Sequence, residues 1–115
     1  MMQEAFSVPD LRRFTESLGV DPVETESDTQ EIDLTDVTGE SLRFSFSPAG
    51  RSIRLLWIRE SGTVDIFREG ATRLWIEEQD KETILCTEFA MGSTKGTLRL
   101  RVFPNLQLKD ELLFS

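Results

Sequence analysis

A regular alternation of apolar and polar residues starts at Ile32 and continues nearly to the end of the chain, and this pattern constrains the fold most. Residues 42–47 show it clearly, because Leu42, Phe44 and Phe46 alternate with arginine and serine. A period of two residues is typical of β-strands, whose successive side chains point to opposite faces of a sheet. Turn-forming residues interrupt the pattern at short intervals, so the sequence predicts about seven or eight short strands joined by hairpins.

Consecutive strands joined by short turns form an antiparallel meander. The predicted fold class is therefore mainly β: an antiparallel meander of about seven or eight strands in a curled sheet or barrel, with one N-terminal helix packed on one face. At 115 residues, the chain has the length of one domain. Residues 1–115 are therefore assigned to a single domain, with the strands in residues 31–115. Within it, the segment 106–115 fits either a strand or a helical turn.

The N-terminal region carries a helix signal over residues 8–18. Ser7 is a suitable N-cap, and Asp10 three positions later can complete a capping box. Gly19 is suited to the C-terminal end, and the acidic residues 20–30 that follow are expected to form a connector. The apolar stripe of this helix consists of Leu11, Phe14 and Leu18.

Several predicted strands are apolar on both faces, as Ile58, Phe67 and Trp75 illustrate. A sheet that buries only one face does not need this second apolar set. Either the N-terminal helix covers it or a second copy of the chain does, and the sequence leaves both alternatives open. A homodimer is therefore one of the predicted arrangements.

The residue types exclude several kinds of catalysis and metal binding. The chain has no histidine and no tyrosine, which excludes serine–histidine and cysteine–histidine nucleophile systems. Cys86 is the one cysteine, so neither an internal disulfide nor a multi-cysteine metal site can form. Its position in a predicted strand beside Ile84 favours a small buried side chain over a reactive thiol. We expect no catalytic residues, no metal site and no cofactor.

Paired carboxylates are the remaining candidates for catalysis. A two-carboxylate hydrolase needs acids that face each other across a cleft, with one pKa raised by burial. The sequence instead predicts solvated acids in turns or on the outer faces of strands. The pairs are Asp33 with Asp36, Glu77 with Glu78, and Asp110 with Glu111.

Arginines on the predicted strands, with aromatic residues between them, are compatible with a nucleic-acid platform. The net charge of −8 opposes that function, because affinity for nucleic acid depends on excess positive charge. Cross-strand ion pairs with nearby acids are the simpler interpretation. We predict no nucleic-acid partner and consider Phe67 and Trp75 as exposed aromatic contacts for a protein. The arginines are Arg43, Arg54, Arg73, Arg99 and Arg101.

No segment has the length or composition of a membrane anchor or a signal peptide. The longest apolar run, residues 55–58, is far shorter than the roughly 20 residues that span a bilayer. Residues 1–10 lack the basic and apolar stretches of a leader. We therefore expect no membrane partner and a cytoplasmic location.

The excess negative charge is concentrated in one segment. Residues 21–40 contain eight acids and no lysine or arginine, whereas residues 41–115 contain ten acids and eleven bases. A local acidic surface speeds the encounter with a basic partner, although a solvated connector beside a protected edge strand would look the same in sequence. The predicted partner-binding residues are Glu24, Glu26, Asp28, Glu31, Asp33, Asp36 and Glu40.

These features favour a non-enzymatic protein-binding domain, such as an inhibitor, an immunity protein or an adaptor, whose acidic surface meets a basic protein. A β-barrel that binds a small apolar ligand is one alternative, and a carboxylate-based enzyme is another. A capped helix followed by strands in a small acidic chain loosely resembles secretion chaperones and bacterial immunity proteins. No motif diagnostic of either group is present, so no family is assigned.

Overall fold

A computed structural model describes residues 5–114 of the chain. This part contains nine strands and two short helices. The helices are α1 (Leu11–Leu18) and α2 (Thr35–Thr38), and α2 lies between β2 and β3. The strands are β1 (Val23–Glu24), β2 (Gln30–Asp33), β3 (Ser41–Ser47), β4 (Ser52–Arg59), β5 (Gly62–Glu69), β6 (Ala71–Gln79), β7 (Glu82–Met91), β8 (Thr94–Phe103) and β9 (Gln107–Phe114).

The strands form two antiparallel sheets, which confirms the predicted mainly β class and the meander. Strands β1 to β5 make a five-stranded sheet and β6 to β9 make a four-stranded sheet, each in sequence order. The described strands close no barrel, because β5 and β6 do not pair. The sequence pattern missed the two-residue β1 inside the expected connector, and residues 107–114 of the ambiguous C-terminal segment form the strand β9.

The chain passes from one sheet to the other at Gly70. Its φ of 85° lies in the left-handed region, which glycine adopts at little cost. The Ala71 N–H donates to the Arg51 carbonyl at 2.9 Å, and the Ala90 N–H donates to the Gly70 carbonyl at 2.9 Å. These bonds direct β6 away from β5. A barrel, one of the two forms expected, is therefore replaced by two packed layers.

The two sheets pack face to face around one hydrophobic core. In β3, Leu42, Phe44 and Phe46 are at most 1% exposed, and from the other sheet Leu85 and Leu100 are 2% and 1% exposed. The intervening arginine and serines of β3 point away from this core, as the alternation predicts. Burial of apolar surface contributes roughly 25 cal/mol per Å², so this layer of side chains is the main source of stability.

Helix α1 packs against the inner side of the sandwich. The Phe14 ring stacks on the Phe46 ring with centroids 5.4 Å apart. The helix therefore does not cover the second apolar set of the five-stranded sheet: Ile58 and Phe67 are 49% and 63% exposed.

The helix begins at a later residue than predicted, because Ser7 is used elsewhere. The Ser7 N–H donates to the Thr72 carbonyl at 3.0 Å, and the Ser7 carbonyl accepts from the Leu74 N–H at 2.8 Å. These bonds add Ser7 to the open edge of β6. The N-cap is instead Asp10, whose Oδ1 accepts from the Arg12 N–H at 2.9 Å.

A one-turn helix, α2, lies inside residues 31–115, where the sequence predicted only strands and turns. The Asp33 Oδ1 accepts from the Thr35 N–H at 3.0 Å and starts this turn. Both helices end at a glycine in the left-handed conformation, Gly19 at φ 74° and Gly39 at φ 76°, which confirms the C-terminal signal predicted for α1. Neither described helix has the length and hydropathy needed to cross a membrane.

Candidate protein-binding surface

The predicted acidic segment, residues 21–40, forms one edge of the five-stranded sheet, here called the acidic edge. Val23 pairs with Glu31 and Glu24 with Gln30, so β1 and β2 form a short hairpin. Its turn is closed by the Thr25 N–H, which donates to the Thr29 carbonyl at 3.0 Å. The hairpin therefore brings several of the predicted carboxylates together at the sheet edge.

Some of these acids maintain the fold. Asp28 accepts hydrogen bonds from the Ser47 hydroxyl at 3.0 Å and from the Ala49 N–H at 2.5 Å. The hydrogen bond from the Ala49 N–H lowers the pKa of Asp28. The Glu40 Oε1 accepts from the indole Nε1 of Trp57 at 3.0 Å. Asp28 thus fixes the β3–β4 turn, and Glu40 satisfies the polar atom of a core-lining tryptophan.

Two further acids of the segment also have partners within the chain. Hydrogen bonds from Thr35 lower the pKa of Asp33, and the Arg43 Nε lies 3.8 Å from the Asp33 carboxylate. The Asp21 Oδ1 accepts from the Thr15 hydroxyl at 2.6 Å. Of the predicted binding residues, Asp28, Asp33 and Glu40 are therefore also structural.

The carboxylates of the remaining four acids make no hydrogen bond or ion pair with any other residue from 5 to 114. Three of them are exposed and one is half-buried, so their charges are available to another molecule. We call them the free carboxylates. They are Glu24, Glu26, Glu31 and Asp36.

Two of the free carboxylates border a surface depression of about 370 Å³. Glu26 and Glu31 line it together with Leu56 and the two arginines Arg43 and Arg54. Both arginines have acidic partners of their own, Asp33 at 3.8 Å and Asp65 at 2.9 Å. Lysine and arginine side chains combine an aliphatic stem with a charged end. The depression offers contacts for both parts of such a side chain.

The structure does not bring Phe67 and Trp75 onto one surface. Phe67 lies on the outer face of β5, at the far edge of the five-stranded sheet from the acidic edge. Trp75 lies on the outer face of the other sheet, half-buried, with the Arg73 guanidinium 4.5 Å from its ring and its Nε1 donating to Glu77 at 3.2 Å. Phe67 remains a candidate contact for a partner protein, whereas Trp75 already contacts Arg73 and Glu77 within the chain.

The arginines are divided between the two outer faces of the sandwich. Arg43 and Arg54 lie on one sheet, and the other three lie on the second sheet. The cross-strand ion pairs expected from sequence are present, and Arg73 stacks on Trp75. The pairs are Arg43 with Asp33, Arg54 with Asp65, Arg99 with Glu77, and Arg101 with Glu82.

The candidate catalytic groups Cys86, Glu77 and Glu78 have pKa values shifted in the directions that oppose catalysis. Cys86 is 0% exposed, and burial raises the pKa of its thiol to about 11. Hydrogen bonds from Arg99 lower the pKa of Glu77, and those from Ser17 lower the pKa of Glu78. A catalytic general acid needs the opposite shift. Residues 5–114 include no group of three or more acids and cysteines that could hold a metal ion.

A second surface was not predicted from sequence. A cleft of about 440 Å³ lies between β5 and the ends of β7 to β9, and Phe67, Phe89, Met91 and Leu112 line it. The sequence contained one signal for this cleft, the apolar residues that follow Glu111. It did not show whether these residues form a strand or a helix. This cleft lies across the five-stranded sheet from the acidic edge.

Comparison with known proteins adds one similarity, at the level of fold. The sequence matches no family model and no curated protein. Among solved structures, the chain is similar to a chain of a contact-dependent growth inhibition toxin–immunity protein complex from Klebsiella pneumoniae 342. The TM-score is 0.79 at 16% sequence identity, and the match covers 93% of this chain and 96% of the other. The two chains share a fold.

Proposed function

We propose that this chain is a non-enzymatic immunity protein that binds a toxin through its acidic edge. The similarity to a chain of a toxin–immunity complex supports a protein-binding role, as the toxin or as its immunity protein. The observation that carries the proposal is the set of free carboxylates. Four acids of a segment without any base have no partner among the described residues.

The chemistry of the chain favours the immunity role over the toxin role. A toxin that acts as an enzyme needs a nucleophile or an acid–base group with a perturbed pKa near neutrality. The chain has no histidine, its thiol is buried with a pKa of about 11, and each shifted carboxyl pKa of the described residues is lowered. An immunity protein needs only a complementary surface.

The acidic edge would act by electrostatic attraction followed by direct ion pairing. Unpaired carboxylates steer a basic protein toward the hairpin and raise the association rate. The depression beside Glu26 and Glu31 would then take a lysine or arginine side chain, with its stem against Leu56. Because Asp28 and Glu40 are held internally, they would support this surface without contacting the partner.

The test is a survival assay with a toxin encoded next to the gene of this chain. Expression of the chain is expected to restore growth, and the purified proteins are expected to form a salt-sensitive complex. Neutralising Glu24, Glu26, Glu31 and Asp36 together should weaken binding roughly tenfold to a hundredfold, mainly through slower association.

The matched control neutralises four exposed acids elsewhere, Glu16→Gln, Glu60→Gln, Asp80→Asn and Glu88→Gln, with the same change in net charge. This variant should bind like the unmodified chain. Equal weakening in both variants would show that total charge, and not the acidic edge, determines binding. Hydrolytic activity of the isolated chain against nucleic acid or peptide would contradict the immunity role.

A further inference from the structure

The exposed apolar side chains of the molecule are concentrated at the edge formed by β5 and β9. Of the seven large apolar side chains exposed among residues 5–113, three line the cleft at this edge. Contiguous apolar patches on a soluble protein mark interaction sites more often than scattered residues do. We call these three the edge patch: Phe67, Met91 and Leu112, which are 63%, 57% and 49% exposed.

Strand β9 also has an open backbone edge. It pairs with β8 on one side, and no other described strand pairs with its second side. The other end strand of its sheet, β6, is partly covered by the backbone of Ser7, and β1 has only two residues. Unpaired edges of long strands are templates for another strand, so β9 joins an apolar patch to a free row of backbone donors and acceptors.

The charges along β5 and β9 balance, unlike those of the acidic edge. Three of the four acids on these strands have ion-pair partners, and the charge of the fourth, Glu69, is balanced by Lys95 on β8. A surface with balanced charges does not attract a basic protein electrostatically. It allows two copies to approach each other here, although each copy has a net charge of −8. The pairs are Asp65 with Arg54, Asp110 with Arg68, and Glu111 with Lys109, and the remaining charges are Glu69 and Lys95.

The sequence of β9 is complementary to itself in one antiparallel register. When Asp110 of one copy lies opposite Asp110 of the other, Lys109 of each copy lies opposite Glu111 of its partner copy. Leu108 then lies opposite Leu112, which is an apolar pair. The two Asp110 carboxylates tolerate this position because each accepts two hydrogen bonds from its own Arg68, at 2.8 and 2.7 Å.

The dimensions of the edge also suit a dimer. A stable interface buries about 800 Å² on each copy, and an eight-residue strand is about 26 Å long. An interface of this area that extends along the whole strand is about 30 Å wide in the perpendicular direction. This width matches the shorter axes of the molecule, 29 and 28 Å. The interface would extend from β9 across the cleft to β5 and would include Phe67.

We propose that two copies of this chain associate through β9, in antiparallel register about Asp110, and bury the edge patch between them. The contact is isologous, because the same residues of both copies form it. It joins the two four-stranded sheets into one continuous sheet. It leaves the acidic edge of each copy free, because β1 and β5 are at opposite ends of the five-stranded sheet. Association of the copies and binding of a toxin are therefore independent properties.

The first test is sedimentation equilibrium of the purified full chain over micromolar to submillimolar concentrations. The unmodified chain is expected to approach twice its monomer mass as concentration rises. Leu112→Lys should weaken association at least tenfold, whereas Val23→Lys, which replaces another exposed apolar residue at the acidic edge, should have no effect. A chain that stays monomeric throughout, or a dimer unaffected by Leu112→Lys, overturns the proposal.

The second test fixes the register and is independent of folding defects. In a dimer of Lys109→Glu, Glu111 of each copy would face the introduced glutamate of the other copy. In a dimer of Glu111→Lys, Lys109 of each copy would face the introduced lysine. Each variant alone should therefore be monomeric, because like charges face each other at both positions. Mixed in equal amounts, the two variants should form a one-to-one heterodimer, because every glutamate then faces a lysine. Failure of the mixture to associate, while the unmodified chain dimerises, excludes this register. A toxin-binding assay on the same variants reports separately on the proposed function and should be unchanged.

Discussion

The Arg68 guanidinium on β5 donates two hydrogen bonds to the Asp110 carboxylate on β9, at 2.8 and 2.7 Å. The two residues belong to different sheets and are 42 positions apart in sequence. The same guanidinium lies 5.1 Å from the centre of the Phe89 ring. This pair ties the open edges of the sandwich together beside the apolar cleft.

Removing the Asp110 carboxylate should destabilise the fold. Asp110→Asn leaves the partly buried Arg68 without its anionic partner, and we expect a loss of about 1–2 kcal/mol in the free energy of unfolding. Urea unfolding at low protein concentration measures this loss without a contribution from self-association. Asp65→Asn, which breaks the more exposed pair with Arg54, serves as the control and should cost much less. An equal loss in both variants would contradict a special role for the bridge between sheets.

Acid should destabilise the protein in part through Glu77. Hydrogen bonds from Arg99 lower the pKa of Glu77 from its ordinary value of 4.5. A lowered pKa in the folded state means that the contribution is complete above the unfolded-state pKa and is lost as pH falls through the folded-state pKa. The free energy of unfolding should therefore fall below about pH 4.5. In Glu77→Gln the fall should be shallower, with a loss on the order of 1 kcal/mol at neutral pH.

Denaturant unfolding at a series of pH values measures the Glu77 effect. Glu88→Gln, on the same outer face, removes an exposed carboxylate without an ion pair and should keep the original pH dependence. The interpretation is wrong if Glu77→Gln and the unmodified chain lose stability in parallel on acidification.

Gly70 should tolerate no side chain. A Cβ at this position would lie 2.5 Å from the Met91 Cγ, and its φ of 85° disfavours other residues. Gly70→Ala should cost about 1–3 kcal/mol in unfolding free energy. Gly39→Ala has a similar φ of 76° with no atom within 4 Å of the added Cβ, so it isolates the backbone strain. Adding Met91→Ala should restore part of the stability of Gly70→Ala but none of that of Gly39→Ala.

The acids of the acidic edge should separate into two groups by their effect on stability. Asp28→Ala removes two hydrogen bonds that hold the β3–β4 turn and should lower the melting temperature. Glu26→Ala removes a charge that has no partner among the described residues and should leave the melting temperature unchanged while weakening binding to the proposed partner. Calorimetry on the two variants measures the difference, and a drop for Glu26→Ala as large as for Asp28→Ala would show that both acids are structural.

Local pattern was sufficient for much of the fold. Leu42, Phe44 and Phe46 are buried as their alternation indicates, and Gly19 ends α1 in the left-handed conformation that a C-terminal glycine predicts. The buried, unreactive state of Cys86 also follows from its strand position. These features depend on residues that are close together in sequence, so they can be predicted from one sequence alone.

Most of the differences came from interactions between residues that are distant in sequence. Ser7 could have capped the helix, but its backbone bonds to β6 exclude that role. The helical turn α2 inside the predicted strand region is a local exception, because the Asp33 side chain accepts from the Thr35 N–H two positions away. The division of the acids into structural and free groups depends on Ala49 and Trp57, which are 21 and 17 positions away from Asp28 and Glu40. Sequence reasoning can place such residues in strands but cannot choose their tertiary partners.

The order of strands in the five-stranded sheet has a consequence for how such a protein can diversify. Glu31 and Phe67 lie in one cross-strand row, on β2 and β5, with Ser45 and Arg54 between them. Three strand spacings of about 4.8 Å separate them. Under the proposed function, substitutions at the hairpin would alter recognition of a partner without changing the residues of the edge patch. One border of the sheet could then diverge among related proteins while the other border stays constant.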